Sequence, residues 1–105
     1  MRLVILESPY AGDIEGNIRY ARAALCDCLK RGEAPIASHL LYTQPGVLDD
    51  LILSERALGI EAGLAWRAVA EAAIFYIDRG WSNGMLSARQ MYENEGKPFE
   101  IRTLG

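Results

Sequence analysis

Along the chain, four short apolar runs alternate with three stretches whose apolar residues recur at helical spacing, the pattern of an α/β domain with a mainly parallel sheet. Leu3-Val4-Ile5-Leu6 is unbroken, as expected for a strand buried on both faces. It runs into a polar segment, Glu7 to Asp13, whose Asp13 is a candidate N-cap. Ile14, Ile18, Ala21, Leu25 and Cys28/Leu29 then repeat on one helical face, with Arg19, Arg22, Lys30 and Arg31 off it and Gly32 as the stop. Ala34-Pro35-Ile36-Ala37 reads as a second strand whose proline places it at an edge or a strand start. Ser38 to Leu53 is the longest stretch without periodicity, and loops of that length are often functional. A second helix opens at Ser54-Glu55-Arg56, with Leu58, Ala62, Ala65 and Val69 on one face; its Gly59 and Gly63 imply a close approach to sheet or ligand. Ala72 to Ile77 is the third strand. After the Asp78–Gly84 loop a helix runs to about Asn94, Gly96-Lys97-Pro98 breaks it, and Phe99-Glu100-Ile101-Arg102 alternates as a last strand. The expected fold is a flavodoxin- or Rossmann-like three-layer sandwich on four or five mainly parallel strands, forming one domain over residues 1–105.

Composition narrows the function classes. The chain has 105 residues, 50% of them apolar and 24% charged, which is ordinary for a globular domain. Its 11 basic residues are scattered against 14 acidic ones, for a net charge of −3, so no stripe suited to tracking nucleic acid is present. No apolar run approaches the roughly 20 residues that cross a bilayer. No charged segment followed by an apolar one opens the sequence, and the expected compartment is the cytoplasm. Cys26 and Cys28 would project about 200° apart on a helix, too divergent to share a disulfide or a metal. With a single histidine, no metal or cofactor is expected.

Open parallel sheets bind ligands beyond the carboxyl ends of their strands, where strand order reverses. Three segments should meet there: Glu7–Asp13, Ser38–Gln44 and Asp78–Met85. They carry Ser8, Tyr10, His39, Tyr42, Gln44, Asp78, Trp81, Ser82 and Asn83, with Asn17 close by in the first helix. Gly12, Gly80 and Gly84 would let backbone amides approach an anion, and a helix N-terminus adds partial positive charge. Each candidate also has a plain structural reading. Asp78 either holds a ribose hydroxyl, acts as an acid, or caps the next turn. Ser82 is an N-cap or a ligand hydroxyl. His39 is a hydrogen-bonded loop residue or a participant in the site. Tyr10 stacks on a base or packs on the surface. Glu61 either pairs with Arg56 or Arg67 or faces the pocket. Trp66 and Trp81 read first as packing or subunit contact.

The segment Ile5-Leu6-Glu7-Ser8-Pro9-Tyr10, with Gly12 and Asn17, resembles the first strand and loop of the nucleoside 2-deoxyribosyltransferase-like superfamily. Pro35-Ile36-Ala37-Ser38-His39-Leu40, Gly59-Ile60-Glu61-Ala62-Gly63, Asp78-x-Gly80-x-Ser82-x-Gly84-Met85 and Gly96-Lys97-Pro98 continue the likeness in order. The resemblance spans nearly the whole chain and is closest to small members common in bacteriophage genomes. It implies a flavodoxin-like sandwich, usually oligomeric, that binds a nucleoside or nucleotide with the base near the first loop. It also implies a nucleophilic Glu early in the helix after the Asp-x-Gly loop, but that position holds Ala88, or Leu86 in the alternative alignment, and no acid lies between Asp78 and Glu93.

The expected function is therefore binding of a nucleoside- or nucleotide-derived small molecule, such as an ADP-ribose-like or cyclic nucleotide signal, held without turnover. A phage could use such a protein in the host cytoplasm to sequester a defence messenger. The expected ligand-contacting residues are Ser8, Tyr10, Gly12, Asn17, His39, Glu61, Asp78, Ser82, Asn83, Gly84 and Met85. The expected assembly is a homo-oligomer with the site near the subunit interface, contacting neither nucleic acid nor membrane. The alternatives are an N-glycoside hydrolase or deoxyribosyltransferase using Glu61 or Asp78, and a non-catalytic structural oligomer.

Overall fold

A computed structural model describes the whole chain, Met1–Gly105. The elements run β1 (Arg2–Glu7), α1 (Ile14–Lys30), β2 (Glu33–Ile36), α2 (Ser38–Leu41), α3 (Leu53–Ala65), a 3-10 turn (Trp66–Ala68), β3 (Ala72–Tyr76), α4 (Asn83–Glu95) and β4 (Phe99–Arg102). All strands are parallel, in the order β2-β1-β3-β4. That order explains the strand sequences. The two continuous apolar runs are the central strands, and all five residues of β3 are buried. Proline-bearing β2 and alternating β4 are the edges, where a missing amide or a polar face costs little.

Helices cover both faces. Val4, Leu6, Ile74 and Tyr76 face Tyr20, Ala24 and Cys28 of α1. Ile5, Ala73 and Phe75 face Met85, Ala88 and Tyr92 of α4, with Leu64 of α3 packed alongside. A parallel strand pair needs a crossover, and right-handed crossovers in opposite directions from the sheet centre put the intervening helices on opposite faces. Strand order consequently reverses between β1 and β3, and a crevice opens above their carboxyl ends.

Several expectations require correction. Ser38 to Leu53 is not wholly irregular, since Ser38–Leu41 forms the short helix α2. The packed face of α1 is the stripe Asn17, Tyr20, Ala21, Ala24 and Cys28, rotated from the one read off the larger aliphatics; Leu29 is 55% exposed. In α3 the expected face is largely open to solvent. Leu58 and Val69 are exposed, Val69 lies beyond the helix end, and Gly63 is the buried position. The reason is close approach. A Cβ on Gly63 would collide with Ser38 Oγ, so the glycine admits α2 rather than sheet or ligand. No helix is long and apolar enough to cross a membrane.

Candidate functional site

The crevice is a cavity of about 590 Å³, within the roughly 300–1,000 Å³ usual for small-molecule sites. Its walls come from the β1–α1 loop, α2 with the turn after it, α3, and the first turns of α4. The three segments expected to converge do so. Ser8, Tyr10, Gly12, His39, Ser82, Asn83, Gly84 and Met85 all border the cavity.

Local chemistry builds each wall. Beyond β1 the chain turns through Gly12, which sits at φ +96°, a left-handed conformation that favours glycine. Asp13 caps α1 by accepting from the Gly16 amide at 3.2 Å. On the other side of the switch point, Ser82 caps α4, its Oγ accepting from the Met85 amide at 3.1 Å, so the helix presents its free N-terminal amides to the cavity. One arginine joins the two loops: Arg79 donates to Asn17 Oδ1 at 2.8 Å and pairs with Asp13 at 3.0 Å.

That tie explains why Asn17 stands outside the cavity. Its amide nitrogen is spent on the carbonyls of Tyr10 and Ala11, which shapes the first loop. Asp78 is also outside. It accepts from the Tyr20 hydroxyl and from the Leu104 amide at 3.0 Å, and the Tyr20 hydrogen bond holds its carboxyl below the usual range. Its carboxyl makes no bond within the following turn, so in place of the expected cap it anchors α1 and the segment after β4. Glu61 is exposed, lies off the cavity, and makes neither of its expected arginine pairs; Arg67 binds Glu95 instead. Gln44 falls in an adjoining depression of about 540 Å³. Trp81 packs on Phe75 at 5.2 Å under the Arg89 guanidinium, and Trp66 donates to the Tyr42 hydroxyl at 3.0 Å, fixing that ring at the cavity wall.

Ser8 and His39 form a pair that their separation in sequence conceals. Ser8 Oγ lies 2.6 Å from His39 Nε2, and Ser8 is 6% exposed. Burial pulls the imidazole down to about 4, so it is neutral at physiological pH. No carboxylate bonds the ring, so the pair lacks the acid that orients a serine–histidine triad.

The residue that sequence reasoning passed over is Glu7. It extends β1 on the same face as Ile5 and borders the cavity. No hydrogen bond or ion pair engages its carboxyl, and burial alone pushes it up to about 7. The signal was present: a residue continuing a doubly buried strand still alternates inward, whatever its charge. Across the cavity, Asp50, Glu55 and Arg56 complete the charged groups. Ala88, where the resemblance would place a nucleophilic Glu, is 4% exposed and part of the same wall.

These features define an open-sheet α/β protein with one elaborated cleft at its topological switch point. Over residues 2–102 the chain matches the family described as a domain of unknown function, DUF7768, and it belongs to that family. No curated protein matches it.

Proposed function

We propose that the cavity binds a nucleoside- or nucleotide-derived small molecule and retains it without turnover. The observation that carries this reading is the composition of the walls of one cleft: aromatic Tyr10 and Tyr42, the Ser8 and Ser82 hydroxyls, and the amide end of α4, with Ala88 in place of a carboxylate on that helix. Aromatic faces suit a base, hydroxyls a ribose, and helix-terminal amides a single phosphate. The resemblance to the nucleoside 2-deoxyribosyltransferase-like superfamily supports the same class of ligand. Charge limits it further. Three acids, Glu7, Asp50 and Glu55, line the cavity against one cation, Arg56, which favours a ligand carrying few phosphates. In this reading the protein is a cytoplasmic sponge, of the host cytoplasm if phage-encoded. It self-associates through the apolar side chains exposed on and before α3, Leu51 to Leu53, Leu58 and Ile60, which adjoin the cavity wall.

A second reading, N-glycoside hydrolysis, draws support from Glu7 rather than from Glu61 or Asp78, because Glu7 is the cavity-lining carboxyl that burial pushes up to about 7. One experiment separates the two. The protein is incubated with nucleosides, their monophosphates and cyclic nucleotides derived from NAD, and supernatants are chromatographed before and after heat denaturation. Depletion of an intact compound that heat releases is the expected result. Free base appearing without heat establishes the hydrolase, and no change across the panel removes the nucleoside assignment.

A further inference from the structure

Glu7 is unusual among the carboxylates of this chain. Asp13, Asp27, Glu33, Asp78 and Glu100 are each held by hydrogen bonds or ion pairs to named partners. Glu7 is held by none, although it lies where the sheet meets the cavity, next in register to Phe75 of β3. A carboxyl with a structural duty would have found a partner, since burying it unpaired opposes folding. Its surroundings provide little. From α4 come Met85, Ala88 and the Tyr92 hydroxyl, which is buried without a partner. Burial, and next the Glu7 charge, push that hydroxyl up. From α3 come apolar Leu64 with Glu55 and Arg56, from the loop before it Asp50, and from α2 His39, already bonded to Ser8; none of these bonds Glu7. The carboxyl is half-buried and opens on the cavity, so a ligand held there would meet it directly. Burial favours the neutral acid, and a neutral acid offers one donor beside one acceptor.

We propose that the protonated Glu7 carboxyl reads the edge of the bound base, its O–H donating to a ring nitrogen while its C=O accepts from the adjacent exocyclic amino group. The amidine edges of adenine and cytosine offer that acceptor beside a donor, a pairing that an ionised carboxylate, with acceptors alone, cannot make, so the contact couples binding to retention of one proton. This inference rests on the nucleoside reading above and goes beyond it by naming the residue that meets the base and the protonation state in which it does so.

The test is titration calorimetry with adenosine, cytidine, guanosine and uridine between pH 6 and 8.5, in two buffers of different ionisation enthalpy. Adenosine or cytidine should bind with no preference for guanosine, whose N1–H and amino group together suit the ionised carboxylate instead. Affinity should fall above pH 7, approaching about tenfold per pH unit, with a proton taken up on binding. Glu7→Gln presents the same donor and acceptor without titrating. It should keep the preferred nucleoside within a few-fold and abolish the pH dependence, whereas Glu7→Ala should lose about ten- to a hundredfold. Guanosine preference with affinity rising with pH overturns the proposal, as does nucleoside binding that is equal in wild type and Glu7→Ala; in both cases the nucleoside reading survives. Absence of binding by all four nucleosides at every pH overturns both.

Discussion

Two side chains at the cavity have been shifted in opposite senses by the same cause. Burial raises Glu7 from 4.5 to about 7 and lowers His39 from 6.5 to about 4. The linkage signs therefore oppose. Between about 4.5 and 7 the folded chain keeps a Glu7 proton that the unfolded chain releases, so this group lowers stability as pH rises. Between about 4 and 6.5 the unfolded chain binds a His39 proton that the folded chain refuses, so this group raises stability with pH. Wild type should show a flattened profile where the windows overlap. Glu7→Gln should gain about 1–2 kcal/mol at pH 8 after allowance for solvent screening and nothing at pH 4, leaving a profile that climbs with pH through the His39 window. His39→Asn should leave a profile that descends with pH. Urea denaturation of the three proteins across pH 4–8 measures both slopes, and parallel profiles would refute the opposed burial of these groups.

At the scale of elements, small residues decide which helix faces pack. α1 turns Ala21 and Ala24 to the sheet instead of Leu29, since a short side chain brings the helix close enough for Tyr20 to reach the Asp78 backbone amide and carboxyl. α3 is seated by Gly63 against Ser38 of α2, and those two helices form the far wall of the cavity. A methyl group there would meet Ser38 Cβ at 2.6 Å as well as Oγ, a clash that rotating the hydroxyl cannot relieve. Gly63→Ala should thus destabilise by about 1–2 kcal/mol, overpacking outweighing the gain in helix propensity of about 1 kcal/mol. Adding Ser38→Gly should recover much of that loss. Additive effects in the thermal denaturation of the two single variants and the double one would show that the contact does not set the helix spacing.

Over the whole molecule, the edges of the sheet are braced beneath the C-terminal turns of α1, away from the cavity. Arg102, the last residue of β4, forms two hydrogen bonds with Glu33, the first residue of β2, at 2.8 and 3.0 Å, and also donates to the Tyr76 hydroxyl. Glu33 is 5% exposed, and the arginine holds its carboxyl below the usual range. Removing the cation strands that charge, with only Arg2 at 3.3 Å to compensate. Arg102→Met should cost about 3 kcal/mol in urea denaturation, and the double change Arg102→Met with Glu33→Leu should cost far less, because a buried pair and a well-packed apolar pair are close in free energy. Equal losses in both would place the brace's contribution in packing rather than charge.

The fold class, the double burial of β1, an edge or strand-start place for β2 and the convergence of loops at the crevice were legible along the chain, because each follows from local rules, whereas the order of the strands was not. Unbroken apolar runs demand burial on both faces, Pro35 removes an amide that only an edge can spare, and parallel strands demand crossovers that open a cleft at the switch. The segments bearing Ser8, Tyr10, His39 and Ser82 were legible for the same reason, as continuations of those strands, although His39 lies on the short helix α2 and not on a loop. What side chains do within the cleft was decided by tertiary contacts between distant segments. Asp78 and Asn17 carry functional-looking groups that Tyr20, Leu104 and Arg79 consume. Glu7 looks like a loop acid until the packing of α4 withholds every partner from it. Periodicity reports which way a residue points, but whether a polar group is satisfied depends on what another part of the chain brings within about 3 Å.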